Sequence, residues 1–304
     1  MKKAIILMFC IAIGSYFLDK LLYFGISKLE SKVLTGQGVG KLNHFLQMKE
    51  SSNYIILGSS RANHHLDPSF LNGPAYNMGL DGTKLAYAAT LLKTLPQHKH
   101  QTVFFHIDPS SVFDQTYDGE DIKSLYTKYH KNDIIYNEIN NISMNNRFSG
   151  FFYSLDYNGR VIGIIRNSFS AKYILNSYNG FDPLFMSKQQ IMAFKRSLEH
   201  REQTNCEDQL KYNTMSLAIL KDLKNFSRKN NKKVIFFTSP IYKDPCKKDI
   251  QALKRIMKEL ELEYHDFSGF FDEDNSFDNW KDAKHLSSVG AEKFSKEFFR
   301  VVPL

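Results

Sequence analysis

At 304 residues, with 42% hydrophobic and 24% charged residues, the chain is long enough to bury a full core and too ordinary in composition to be mainly disordered. Its formal net charge of +8 is scattered or follows local helix faces, as in Lys243-Asp244-Pro245-Cys246-Lys247-Lys248. No RNA- or DNA-binding motif accompanies that charge, so a basic surface near anionic envelope material is expected and a nucleic-acid partner is not.

The N-terminus changes the compartment. Lys2-Lys3 precedes a largely apolar run, Ala4 to Leu18, which Asp19-Lys20 interrupts and Leu21-Leu22-Tyr23-Phe24 resumes. The charge-free part spans only roughly 22 Å at the helical rise, short of the ~30 Å hydrocarbon core of a bilayer. A signal-anchor whose Lys20 snorkels at the outer face fits, and so does a cleaved signal peptide. No good Ala-x-Ala site follows, so an uncleaved single-pass anchor over residues 1–27 is the expectation. The leading lysines then leave the N-terminus in the cytoplasm and the remainder outside the cytoplasmic membrane, in the periplasm or at the cell surface. Cys10 follows Leu7-Met8-Phe9, which lacks the small residues of a lipidation site. Cys206 and Cys246 would share an oxidising compartment, where one disulfide or two free thiols fit equally.

Residues 28–52 read as a linker with a helical patch, and its Gly36-Gln37-Gly38-Val39-Gly40 stretch has no strand before it and no phosphate-binding Gly-Lys-Ser/Thr after it. From residue 53 the pattern becomes regular. Tyr54–Leu57, Ala75–Met78, Thr102–Ile107, Lys233–Thr238 and Leu262–Phe267 are short apolar runs bounded by turn residues, which predicts five strands. Thr83–Leu95, Gln209–Lys229, Lys247–Leu260 and Ser287–Arg300 predict helices; in the third, Ile250, Leu253, Ile256, Met257 and Leu260 mark one buried face. This alternation predicts an α/β fold: a three-layer α/β/α sandwich around a five-stranded, mostly parallel, doubly wound sheet of flavodoxin-like type. The interval 111–201 breaks the alternation and is read as a helical insertion in the 53–304 domain, at the carboxyl edge of the sheet. There its aromatics would either line an acceptor groove or form plain insertion core.

Two short motifs carry chemistry. Tyr54-Ile55-Ile56-Leu57-Gly58-Ser59-Ser60-Arg61 runs an apolar stretch into a small-residue turn, and Asp282-Ala283-Lys284-His285-Leu286 precedes the last helix. A serine on a sharp strand-to-helix turn, with a carboxylate and an imidazole three residues apart, contains the parts of an acyl-transfer site. Glycine permits the tight turn, and the following helix can aim N–H groups at a reacting oxygen. The bland readings are Ser59-Ser60 as an N-cap pair and Asp282 as a surface turn residue, with Asp278 its rival as orienting acid. Arg61 is either a helix-start surface residue or an anchor for an anionic substrate group. Ser239, in Thr238-Ser239-Pro240, is either a pocket residue or part of a strand-ending turn. His64-His65 and His106 lack metal-ligand spacing, so neither a metal site nor a cofactor is expected.

These blocks resemble the SGNH (GDSL-like) hydrolase superfamily. Leu57-Gly58-Ser59-Ser60 looks like its first block, with Ser60 as nucleophile and Ser59 in place of the usual Asp. Tyr76-Asn77-Met78-Gly79-Leu80-Asp81-Gly82 looks like the second, whose later glycine donates an N–H to the oxyanion hole; that implies Gly82, with Gly79 as fallback, beside the N–H of Ser60. Asp282-x-x-His285 matches the last block. The third block departs: Asp108-Pro109-Ser110-Ser111 stands where the family has Gly-x-Asn-Asp, so a side-chain amide is missing, and Asp108 joins Arg61 and Ser239 as a candidate substrate contact. The Gly-Ser-Ser turn, the missing amide and the anchor also resemble a membrane-tethered envelope subgroup. It includes the D-alanyl transfer protein of the teichoic-acid pathway and the SGNH partners of membrane-bound O-acyltransferases. The resemblance implies acyl transfer through acyl-Ser60 on O-acyl groups of a cell-surface glycan, with an acylated glycan or acyl donor as substrate and a membrane-bound O-acyltransferase as candidate partner. A glycan O-acetylesterase and a non-catalytic envelope scaffold are the alternatives.

Overall fold

A computed structural model of the chain describes residues 1–36, 38–142, 150–199, 210–244, 247–274 and 276–303. In chain order the principal elements are α1 (Lys2–Glu30), α2 (Val39–Met48), β1 (Tyr54–Leu57), α3 (Ser60–His65), β2 (Ala75–Asn77), α4 (Leu85–Lys93), β3 (Gln101–His106), α5 (Pro109–Phe113), α6 (Asp133–Ile142), α7 (Val161–Phe169), α8 (Lys188–Glu199), α9 (Thr214–Lys229), β4 (Lys232–Thr238), α10 (Lys247–Glu259), β5 (Glu263–Asp266) and α11 (Ser288–Val301). They fall into two compact units. One comprises Met1–His44 with Lys123–Tyr178, the other Phe45–Ile122 with Asn179–Leu304.

The second unit carries the sheet. Its five strands are all parallel, in the order β2-β1-β3-β4-β5, which is the doubly wound, flavodoxin-like arrangement expected from the alternating pattern. Every residue of β3 is buried, as befits a central strand covered on both faces. The period of two divides the apolar side chains. Ile56, Phe104, Ile235 and Phe237 share a cluster with Phe294 and Phe298 of α11, and the Phe298 ring lies 4.8 Å from Phe237 and 5.4 Å from Phe104. Ile55, Val103, Phe105 and Phe236 alternate with them and are equally buried; α4 packs on β1, and α9 on β4 and on α4. In α10 the side chains of Ile250, Leu253, Ile256 and Met257 are buried, the stripe that the spacing of three and four requires. Strand order reverses between β1 and β3, so the crevice of such a sheet opens beyond their carboxyl ends. Gly58-Ser59-Ser60 and His106-Ile107-Asp108 emerge there.

Two expectations need correcting. The anchor helix does not stop at residue 27: α1 runs on to Glu30, and the helical patch expected within 28–52 is α2, which buries Leu42 and Phe45. The interval 111–201 is not one insertion, because residues 123–178 group with the N-terminal segment while its two flanks belong to the sheet unit. In the first unit, Val33, Val39, Tyr157 and Ile164 form a small core against Tyr23, Ile26 and Leu29. Buried Glu30 accepts hydrogen bonds from Lys128 Nζ at 2.5 Å and Lys131 Nζ at 2.6 Å, so that charge is paired twice. α1 is long and apolar enough to cross a membrane. The pairing of Cys206 with Cys246 lies outside the described residues.

Candidate functional site

The turn after β1 is built around a glycine. Gly58 has φ +143°, and a Cβ there would lie 2.7 Å from His106 Cβ and 3.0 Å from Ala62 Cβ, so only glycine lets β1 and β3 approach this closely. Ser59 follows as the N-cap of α3, its Oγ accepting from Arg61 N at 3.4 Å. The cap reading of Ser59 therefore holds for this residue and leaves the next serine free. Ser60 is the first residue of α3, where N–H groups have no intrahelical acceptor.

Asp282 and His285 come from the loop before α11. Trp280 pins that loop: its ring is buried, packs 5.4 Å from Tyr242 and 5.5 Å from Phe271, and its backbone bridges to Leu286. His285 Nε2 lies 2.8 Å from Ser60 Oγ. Its Nδ1 lies 3.0 Å from both Asp282 carboxylate oxygens. Asp282 also accepts from the Lys284 N–H at 2.8 Å and the His285 N–H at 3.0 Å. Burial opposes the charge on Asp282, but the hydrogen bonds from His285 and these backbone groups outweigh it and lower the pKa. Asp278, the rival acid, is exposed, and its backbone carbonyl accepts from Ser287 Oγ. The arrangement is serine, imidazole and carboxylate in hydrogen-bonded series.

The series opens on a cavity of about 410 Å³ whose walls include Ser59, Ser60, Gly82, Lys84, His106, Asp108, Ser110, Lys284 and His285. Gly82, at φ +75°, has open space where a side chain would be. Gly79 is placed differently: its N–H donates to Asn77 Oδ1 at 2.8 Å and it does not line the cavity. Among the described residues of 111–201 no aromatic lines it either, and only Ser111 does.

Arg61 also lines the cavity, and one of its two readings needs correcting. It is buried, not a surface residue, and its guanidinium is committed to the protein. Nε donates to Ser239 Oγ at 3.2 Å, one terminal nitrogen to Asp108 Oδ2 at 3.2 Å, and the other to the carbonyls of Ser239 and Pro240. It thus ties the end of β4 to the residue after β3. Asp108 caps α5, accepting from Ser110 N and Oγ. Although burial works against its charge, Arg61 and these bonds hold its pKa below the usual carboxylate range. Ser239 is fully buried and is absent from the cavity wall, so it is not placed to touch substrate.

Sequence reasoning missed what Ser239 does. The Leu286 N–H donates to His65 Nε2 at 3.0 Å. His65 is buried and neutral, its pKa driven well below 6.5 by burial and then by Arg61. Its hydrogen is therefore on Nδ1, donated to Ser239 Oγ at 2.9 Å. Ser239 Oγ already accepts from Arg61 and His65, so its own hydrogen goes to His106 Nε2 at 3.2 Å. His106, neutral for the same reasons, then carries its hydrogen on Nδ1, facing Ser59 Oγ at 3.4 Å. The Ser59 hydroxyl accepts at every step, which leaves its hydrogen for the cavity. The one hint in the sequence was two histidines beside sheet-edge turns, and neither spacing nor periodicity joins them.

This network makes stability depend on pH with a definite sign. The unfolded imidazole of His106 takes up a proton below about pH 6.5, and the buried one does not. Its contribution is complete above that pH and is lost as the pH falls. We expect the stability gap between wild type and His106→Gln to narrow below pH 6.5 by up to about 1.4 kcal/mol per pH unit. Urea titrations at pH 7.5, 6 and 5 measure it, and a constant gap would mean that His106 takes up its proton as readily in the native state as in the unfolded one.

No family model matches the chain, and no curated protein matches it in sequence.

Proposed function

We propose that the protein is a membrane-tethered, SGNH-like serine enzyme that transfers a small acyl group to or from a cell-surface glycan. The observation that carries the proposal is the Ser60–His285–Asp282 series at the mouth of a cavity at the sheet's switch point. His285 Nε2 takes the Ser60 proton as Oγ attacks the ester carbonyl, and Asp282 orients and stabilises the imidazolium. The N–H groups of Ser60 and Gly82 donate to the oxyanion, and the hydroxyl of Ser59 adds a third donor where the family's amide is missing. The tetrahedral intermediate collapses, the alcohol leaves with the proton from His285, and acyl-Ser60 passes to a sugar hydroxyl or to water. Serine, threonine, lysine and histidine dominate the cavity wall, with Leu85 the one aliphatic side chain among the described residues, which favours a short acyl group on a polar carrier over a long alkyl chain. The apolar α1 supports a tether to the cytoplasmic membrane, with the sheet unit outside it and a membrane-bound O-acyltransferase as partner.

One observation favours a second, non-catalytic reading: Asp108, held by Arg61, puts a carboxylate near the site where a hydrolase of this type offers an amide. Intact mass after fluorophosphonate treatment separates the two. Wild type and Ser59→Ala are expected to gain one adduct, the variant more slowly, and Ser60→Ala none. A folded wild type that gains no adduct would favour the scaffold.

A further inference from the structure

The charge pair inside the apolar helix has an explanation in the fold of the first unit. Asp19 is 5% exposed. Its two carboxylate oxygens accept the N–H groups of Tyr153 and Ser154, each at 2.9 Å. Lys20 Nζ donates to Asp19 at 3.0 Å and to the Phe151 carbonyl at 2.6 Å, and it sits 3.4 Å above the Tyr153 ring. Both charges are thus satisfied within the protein by one segment, 151–154. Beyond them Leu21, Leu22 and Phe24 are exposed. The apolar exterior of α1 therefore runs from Ala4 to Phe24, roughly 31 Å at the helical rise, and matches the ~30 Å hydrocarbon thickness that Ala4–Leu18 alone falls short of.

That match fixes the depth of what lies against the helix. The Phe151 ring packs 5.1 Å from Tyr16, eight residues or roughly 12 Å below Phe24. An apolar groove of about 510 Å³ lies there, lined by Ala12, Ile13, Tyr16, Phe17, Phe151 and Tyr153 together with Gly150. Farther along, α7 turns Ile164 inward, into the core with Tyr23, Ile26 and Leu29, at the level where α1 leaves the hydrocarbon. On its outer side Ile162, Ile165 and Phe169 stand at i, i+3 and i+7; Ile162 is 84% and Phe169 87% exposed. Arg160 and Arg166 flank that stripe, a pattern of helices that lie in a membrane interface.

We propose that residues 150–169 are embedded in the leaflet on the C-terminal side of α1, with a lipid acyl chain in the groove beside Tyr16 and Phe151 and α7 lying among the headgroups. The occupant is bilayer lipid because the groove and stripe continue the apolar surface of the spanning helix at matching depths. The proposal rests on reading α1 as a membrane span.

The test places a second tryptophan in the full chain, reconstituted in nanodiscs of phosphatidylcholine and phosphatidylglycerol with or without brominated acyl chains. Phe9→Trp reports on α1, Phe151→Trp on the groove and Phe169→Trp on α7; all three positions are exposed, and buried Trp280 gives a constant background. Quenching of all three by brominated lipid is expected, with Phe169→Trp quenched least because it lies shallowest. Quenching of Phe9→Trp alone would overturn the proposal and leave the span intact, and cross-linking would then ask whether a second copy covers the face. Quenching of none would overturn the span as well.

Discussion

Ser60→Ala and His285→Ala are each expected to lower kcat for acyl release or transfer by about 10⁴-fold or more, with unchanged melting temperatures. Neither side chain supports the fold: Ser60 and His285 are only half-buried at a cavity mouth, and their mutual bond is made across it. Without the hydroxyl no acyl-enzyme forms, and without the imidazole the hydroxyl keeps its proton. Because the two act as one unit, the double variant should be no worse than the poorer single one. Asp282→Asn keeps the shape but loses the charge that stabilises imidazolium, and about 10⁴-fold is again expected. Hydrolysis of 4-nitrophenyl acetate and deacetylation of an acetylated glycan would serve as assays. Full activity in either alanine variant would place the chemistry elsewhere.

Arg61→Ala should destabilise the protein by about 3 kcal/mol, at the low end for a broken buried pair because Asp108 keeps some contact with water. The loss has three parts: Asp108 is left without its cation, the Ser239 and Pro240 carbonyls lose their donors, and Ser239 Oγ loses one of its two. In a unit of this size that corresponds to a fall of roughly 6–12 °C in Tm. Arg61→Lys should recover little, since one ammonium cannot serve partners on two strands at once. Adding Asp108→Ala to Arg61→Ala should cost less than the sum of the singles, because it removes the stranded charge. A loss under about 1 kcal/mol for Arg61→Ala would mean that the pair is solvated and dispensable.

The strands were legible because a parallel sheet covered on both faces needs continuous apolar runs. Tyr54–Leu57 matches its strand end to end, and each of the other four runs matches to within one residue. Helix faces were legible for the same reason, through the period of α10. The pieces of the candidate site were legible as residue types at turns, since a serine after a tight glycine and an Asp-x-x-His before a helix each announce themselves locally. Their meeting was not, because 225 positions separate Ser60 from His285.

Local pattern therefore determined the α/β class, the five strands, the apolar N-terminal helix and the identities of Ser60, Asp282 and His285 as candidates. Tertiary structure alone decided the rest. It made Arg61 a buried strut and Ser239 the hub of two neutral histidines, it committed the Gly79 N–H to Asn77, and it laid residues 151–154 over Asp19 and Lys20. The physical reason is common to all of them. Hydrophobic periodicity is written over a few neighbouring residues, whereas a polar side chain's role depends on partners that only packing brings within hydrogen-bond distance.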